Sequence, residues 1–402
     1  DLRFDTGYSR MPLDPPATAL GLEDAFPGLT FDSPHDFNTS PGDPGKLFVT
    51  EGDGRVWLVP DITASPTDAD KILILDITDR THHDNNEKAF KGVALHPDWA
   101  NNGYMFVTYN AATTSRVSRF TCRTTAPFTA DPDSELILID QADIGGFHNV
   151  GTCEFGADGY LYASFGDEGT QGDGYNNSQY LDRNMWCSII RIDVDKKPGS
   201  LVPNPDTDVP RVGGGSSGEA HYGIPPDNPF VGATSHNGVA VNPNEVRTEM
   251  YVTGVRNVYQ FHVEDTDDDG TVDEVWAGDV GRGALEEITV FGKGENGGWS
   301  WREGTSSPTD ITGDRNGALE TNATLKDPLW EYAHGGGSFQ GNAVIAGFLY
   351  QDDALPSLTG KFLAADFISG NIWSIERTAG APLIERLGGE LAIVALKPDP
   401  SG

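Results

Sequence analysis

The sequence predicts an all-β fold, a six-bladed β-propeller of four-stranded antiparallel blades, on three observations. Gly (49) and Pro (26) are frequent among the 402 residues, which fits many short strands joined by turns. No stretch carries a compelling apolar period of a helix. One pattern also recurs, in the form strand, Asp/Gly turn, aromatic strand. It appears as His96-Pro97-Asp98 followed by Gly103-Tyr104-Met105-Phe106-Val107, and as Gly156-Ala157-Asp158-Gly159-Tyr160-Leu161-Tyr162. Its second half returns at Gly45-Lys46-Leu47-Phe48-Val49 and at Gly360-Lys361-Phe362-Leu363-Ala364. A recurrence of roughly 50 to 80 residues is the scale of a propeller blade, and about six blades would consume the chain. Such modules contact mainly their neighbours, so residues 1–402 are read as one domain despite their number.

In chain order, Leu20 to Phe31 is a candidate edge strand. Lys46 to Thr50 and Arg55 to Val59 form a hairpin over Gly52-Asp53-Gly54, and Lys71 to Ile77 follows. Lys91 to Leu95, Tyr104 to Tyr109 and Val117 to Cys122 form a meander, with Leu136 to Ile139 as its fourth strand. Cys187 to Val194 comes after the His148 hairpin described below. Residues 196–244 are loop-rich, with a Gly-rich run at 213–218, and read as a lid or a surface insertion. Strands resume at Glu249 to Thr253, Val258 to Glu264, Val272 to Ala277 and Glu287 to Phe291. Val344 to Tyr350, Phe362 to Asp366, Ile372 to Ile375 and Leu391 to Leu396 close the series.

The formal charge of −34 argues against nucleic acid and anionic membranes as partners, because such a surface repels both. No segment approaches the apolar length of a membrane span. The chain begins with Asp1 and shows no signal peptide, so it reads as a processed or excised product, suited to a secreted or periplasmic setting. Cys122, Cys153 and Cys187 lack metal-ligand spacing, and outside the cell they allow one disulfide and one free thiol.

Candidate chemistry centres on His148 to Asp167. Asp158-Gly159 is a hairpin turn signal between two β-rich runs. His148 precedes the first strand and Asp167 follows the second, so antiparallel pairing puts them at one end, as a base and its orienting carboxylate. Asp265, Asp267, Asp269 and Asp273, with Gly270 at the sixth position, match the start of a calcium loop, although Trp276 stands at the twelfth. His82, His83, His221, His236 and His334 are loop histidines, read as solvated or structural.

Several motifs share the order of a known family. They are Gly92-Val93-Ala94-Leu95-His96-Pro97-Asp98, the His148 hairpin, and Ser188-Ile189-Ile190-Arg191-Ile192-Asp193. Gly254-Val255-Arg256-Asn257, Gly278-Asp279-Val280-Gly281 with Glu286-Glu287-Ile288, and Asn296-Gly297-Gly298-Trp299 follow. The chain resembles the soluble sugar dehydrogenases that use pyrroloquinoline quinone (PQQ), the glucose/sorbosone dehydrogenase family of six-bladed propellers. The resemblance implies a sugar oxidoreductase with His148 as base, Asp167 as its orienter, and Arg256 and Asn257 as PQQ contacts. It implies calcium on the main chain of Gly281 and Arg282, and a second calcium near Glu287 and the Asn296–Trp299 turn. It further implies a sugar substrate and an external electron acceptor such as a cytochrome.

The sequence departs from that family late in the chain, where a cofactor-contacting Lys is replaced by Ile368. An Arg-x-Arg pair has no counterpart in Gly388-Gly389-Glu390-Leu391-Ala392. The family's early Gln or Arg position in the cofactor pocket aligns with Lys88, so Lys88 or its neighbour Lys91 is the candidate replacement cation, the other reading of both being a solvated loop lysine. Two other readings follow from the same sequence. One is a propeller without cofactor that binds carbohydrate or protein, and the other is a calcium-dependent, lactonase-like hydrolase.

Overall fold

In the computed structural model, residues 21–84, 87–170, 172–215, 218–308 and 321–398 are described. Five four-stranded antiparallel sheets follow one another along the chain. The first is Pro34–Ser40, Asp43–Glu51, Arg55–Val59 and Ile72–Asp76. The second is Phe90–Leu95, Tyr104–Asn110, Thr114–Thr121 and Leu136–Ala142. The third is Val150–Phe155, Leu161–Phe165, Ser188–Ile192 and Met250–Thr253. The fourth is Val258–Glu264, Glu274–Asp279, Leu285–Phe291 and Trp330–Ala333. The fifth is Val344–Tyr350, Lys361–Asp366, Asn371–Glu376 and Leu383–Gly389.

The all-β propeller of four-stranded blades is as expected, but the described residues hold five complete blades, not six. The stretch Leu391 to Leu396 forms no strand, and the last strand is Leu383–Gly389. Residues 391–398 instead run as an unpaired segment along the central channel. Ala392 and Val394 face the same cavity as Pro34 and Val344, and Leu396 and Lys397 face another beside Asn38 and Gly347. Lys397 Nζ pairs with the buried Asp36 at 3.0 Å. The segment thus makes a sixth wall beside five inner strands. Leu22 to Phe31 is not a strand either, and Leu20 lies outside the described residues. One short helix, Trp99–Asn102, turns the second blade's first hairpin.

Why blades form here is visible in the burial. Alternating residues of the strands interlock in layers between sheets, as in the cluster of Phe106, Val117, Ile139, Leu161, Phe165 and Ile190. Near the axis the inner strands converge, and there is no room for side chains. A Cβ on Gly151 would lie 2.5 Å from the Val258 carbonyl oxygen, so this position admits only hydrogen.

The insertion 196–244 leaves the third blade between its last two strands and packs back on it. Val209, Ala220, Tyr222 and Ile224 join the core, and Asn228 donates to the carbonyls of Arg191 and Thr248. Its described residues line neither of the two channel cavities, and it reads as an extension of the blade. Ser216 and Ser217 of its Gly-rich run lie outside the described residues. All three cysteines are buried free thiols, so the disulfide that their number allows is not formed. Phe106 lies beside Cys153 and Trp99 packs in the cluster with Cys122, so the thiols serve as small apolar groups.

Candidate active site

The third blade's first hairpin does what its sequence suggests. Leu161–Phe165 pairs with Val150–Phe155, and Phe165 lies opposite Val150. His148 and Asp167 therefore emerge side by side. Gly166 allows the approach, since a Cβ there would lie 2.4 Å from the His148 carbonyl oxygen. His148 itself has φ of 54°, a left-handed conformation that a non-glycine residue seldom holds without a local reason.

Asp167 is buried and fully engaged. Its Oδ1 meets His148 Nδ1 at 2.6 Å and accepts from the Gly169 amide. Its Oδ2 accepts from Trp299 Nε1 at 2.9 Å. Asp167 thus fixes the imidazole through Nδ1, and among the described residues no hydrogen bond ties down the other ring nitrogen, Nε2. That nitrogen is the one a substrate hydroxyl can reach. The Asp167 amide donates to the Arg256 carbonyl, which joins this unit to the next blade.

His148 opens on a cavity of about 610 Å³ at the channel mouth where the inner strands begin. Arg256, Asn257 and Gly281 line it with Lys91, Tyr259 and Ile368. The amides of Arg256 and Asn257 both donate to Asp279, which pins the Gly-Val-Arg-Asn turn. The Arg256 guanidinium lies over Trp299 at 5.4 Å and donates from Nη1 to the carbonyls of Val280 and Gly281. Its Nε is buried without a partner among the described residues. Burial pushes the Lys91 ammonium down to about 8.

The expected residues divide accordingly. His148, Asp167, Arg256, Asn257 and Gly281 come together. Lys88 does not line the cavity: it is buried and its ammonium meets Asp143 at 3.3 Å. Lys91, three residues later and on the inner strand Phe90–Leu95, lines it instead. The Gly281 carbonyl already receives a cation, the Arg256 guanidinium, and Arg282 is not among the lining residues.

Glu287 is likewise not gathered into a ligand cluster with the Asn296 turn. It accepts from the Gly304 amide, and burial followed by repulsion from Asp279 holds its carboxyl well above the usual range. The Asn296 side chain is spent on a double amide pair with Gln179. Among the described residues, Asp265, Asp267 and Asp269 alone bring three such ligand atoms within 4.8 Å of one another. They sit at the exposed tip of the hairpin between Val258–Glu264 and Glu274–Asp279. Asp273 stays outside the group and accepts from Thr266.

Trp299 is a site residue that sequence reasoning placed only in the turn near Glu287. Its motif stood out, but only the fold brings its indole to Asp167, 132 positions away.

Residues 31–210 match the family model for glucose / sorbosone dehydrogenase. This is the family that the motifs resemble. Among curated proteins, HIPL2 protein of Arabidopsis thaliana is 26% identical over 381 residues, which cover 83% of this chain and 51% of the relative. HIPL1 protein of the same plant is 24% identical, over 75% of this chain and 45% of the relative. The chain spans about half the length of these curated relatives. A PQQ-bound aldose sugar dehydrogenase of Streptomyces coelicolor has the same fold, with a TM-score of 0.61 at 17% identity over 92% of this chain and 86% of that one. The apo aldose sugar dehydrogenase of Escherichia coli aligns with a TM-score of 0.60, also at 17% identity, over 92% and 91% of the two chains.

Proposed function

We propose that this chain is a sugar oxidoreductase whose cavity holds PQQ and whose base is His148. The observation that carries the reading is a histidine fixed through Nδ1 by Asp167, with Nε2 unengaged among the described residues, at the wall of a cavity that also presents Arg256 and Lys91. Oxidation of a sugar hydroxyl releases a proton and a hydride. His148 Nε2 takes the proton, and Asp167 stabilises the imidazolium that forms. PQQ, when bound, supplies the two-electron acceptor for the hydride. Arg256, with its buried and unpartnered Nε, Asn257 and Lys91 would hold the anionic quinone, and the volume suits a ligand of that size. No step is assigned to calcium at Gly281, because the guanidinium occupies that carbonyl. The reading entails an external electron acceptor such as a cytochrome and a secreted or periplasmic location.

Calorimetric titration with PQQ, followed by aldoses and a redox dye, tests it. Micromolar binding with dye reduction is the expected result. Absence of binding at millimolar PQQ would sink the reading. It would leave a carbohydrate- or protein-binding propeller, which Ile368 at the cavity wall and the engaged Arg256 guanidinium favour.

A further inference from the structure

Four large apolar side chains stand exposed around the mouth of the His148 cavity. Ile144, 76% exposed, and Phe147 lie on the loop that ends in His148. Ile368 lines the cavity itself, from the turn that follows Lys361–Asp366. Leu391, 71% exposed, precedes Ala392, whose amide donates to the Phe367 carbonyl. Val344 pairs with Asp366 and Asn371 with Gly389, so Ile368 and Leu391 stand at the end where the inner strands begin. None of the four joins a hydrophobic cluster of the interior. Apolar side chains held together at the surface without a part in the core mark a contact surface.

Charge decides what covers it. The net charge of −34 repels a second copy of this chain and an anionic lipid surface, and it attracts a basic protein. Glu87 at the cavity wall and Glu390 beside Leu391 add acid at the rim itself. The cavity's own cations, Arg256 and Lys91, are buried.

We propose that this rim docks a basic one-electron carrier protein, which takes up the electrons of the sugar. The proposal rests on the oxidoreductase reading above. Oxidation of one hydroxyl to a carbonyl releases two electrons and two protons. Two oxidised carriers in turn each accept one electron, and both protons leave to solvent. The apolar rim lets the carrier seat closely over the cavity mouth. The opposite charges steer it there without holding it, as a small transient interface requires.

Calorimetry with an oxidised c-type cytochrome of positive net charge tests the docking apart from catalysis, with a c-type cytochrome of negative net charge as control. Binding of the basic protein alone is expected, weakened at least tenfold between about 20 and 300 mM salt. Ile144→Ser with Leu391→Ser, at positions too exposed to open the core, should weaken it about tenfold. The double variant should reduce the cytochrome about tenfold more slowly with aldose, while its turnover with a small redox dye stays unchanged. Binding of both cytochromes alike, or of neither, would overturn the proposal, as would equal affinity in the double variant. Failure of dye-coupled turnover in the unaltered, PQQ-loaded chain would instead overturn the oxidoreductase reading, and the carrier's electron-accepting role with it.

Discussion

The two ends of the channel each hold a histidine beside carboxylates, and they use it in opposite ways. At one end Asp167 binds only Nδ1 of His148. At the other, Glu154 and Glu264 take both nitrogens of His262. A ring held by one nitrogen is oriented and can still exchange a proton through the other. A ring held by both is a cation locked into an ion triad. The glutamates accordingly push the His262 imidazolium up to about 9, against the opposing effect of burial. Proximity of histidine to acid therefore does not by itself leave a ring able to exchange a proton; a second nitrogen without a partner is needed as well.

The sharpest way to break this comparison is to exchange the fates of the two rings. His148→Gln should lower dye-coupled aldose turnover roughly 10³-fold, within the usual worth of a positioned base. His262→Gln should leave turnover within about twofold, since it touches no substrate in this scheme. Similar losses in both would erase the distinction.

A second experiment concerns Lys91, a cation at the wall of the His148 cavity. Lys91→Met should weaken PQQ binding about tenfold by calorimetry. Affinity in the unaltered chain should fall as pH rises through about 8, where Lys91 gives up its charge, and the variant should lose this slope.

Trp299→Phe tests how tightly the base must be held. Removing the indole donor from Asp167 should lower kcat by about fivefold, with KM little changed. A fall in affinity alone would mean the indole serves the cavity wall instead.

The smallest effect belongs to His262. Its folded-state pKa of about 9 lies above the ordinary 6.5, so its stabilisation is fully present below 6.5 and is lost as pH rises through 9. The melting temperature of His262→Gln should sit about 2–4 °C below that of the unaltered chain at pH 6, and the gap should close by pH 10. A gap that widens with pH would contradict the ion triad.

Much of this was legible in the sequence wherever chemistry depends on local register. Strand alternation and the Asp158-Gly159 turn placed His148 beside Asp167 without knowledge of the rest. What could not be read depends on which way a side chain leaves a converging wall. Lys88 and Lys91 are three residues apart, yet one meets Asp143 and the other enters the cavity. Leu391 to Leu396 has the composition of a strand, but in this structure no partner strand pairs with it. The carbonyl of Gly281 looks available for a metal until Arg256, 25 positions away in sequence, is found on it. The indole of Trp299 is a contact of the same long-range kind.

One feature of the channel reaches both ends. The segment with Ala392 and Val394 in the upper cavity and Lys397 in the lower is like a barrel stave without hoops, since no ladder of backbone bonds ties it to the strands on either side. Its main polar anchor is the buried pair of Lys397 with Asp36. Loosening that anchor would loosen the walls of both chambers together, and the two mouths would then share one hinge.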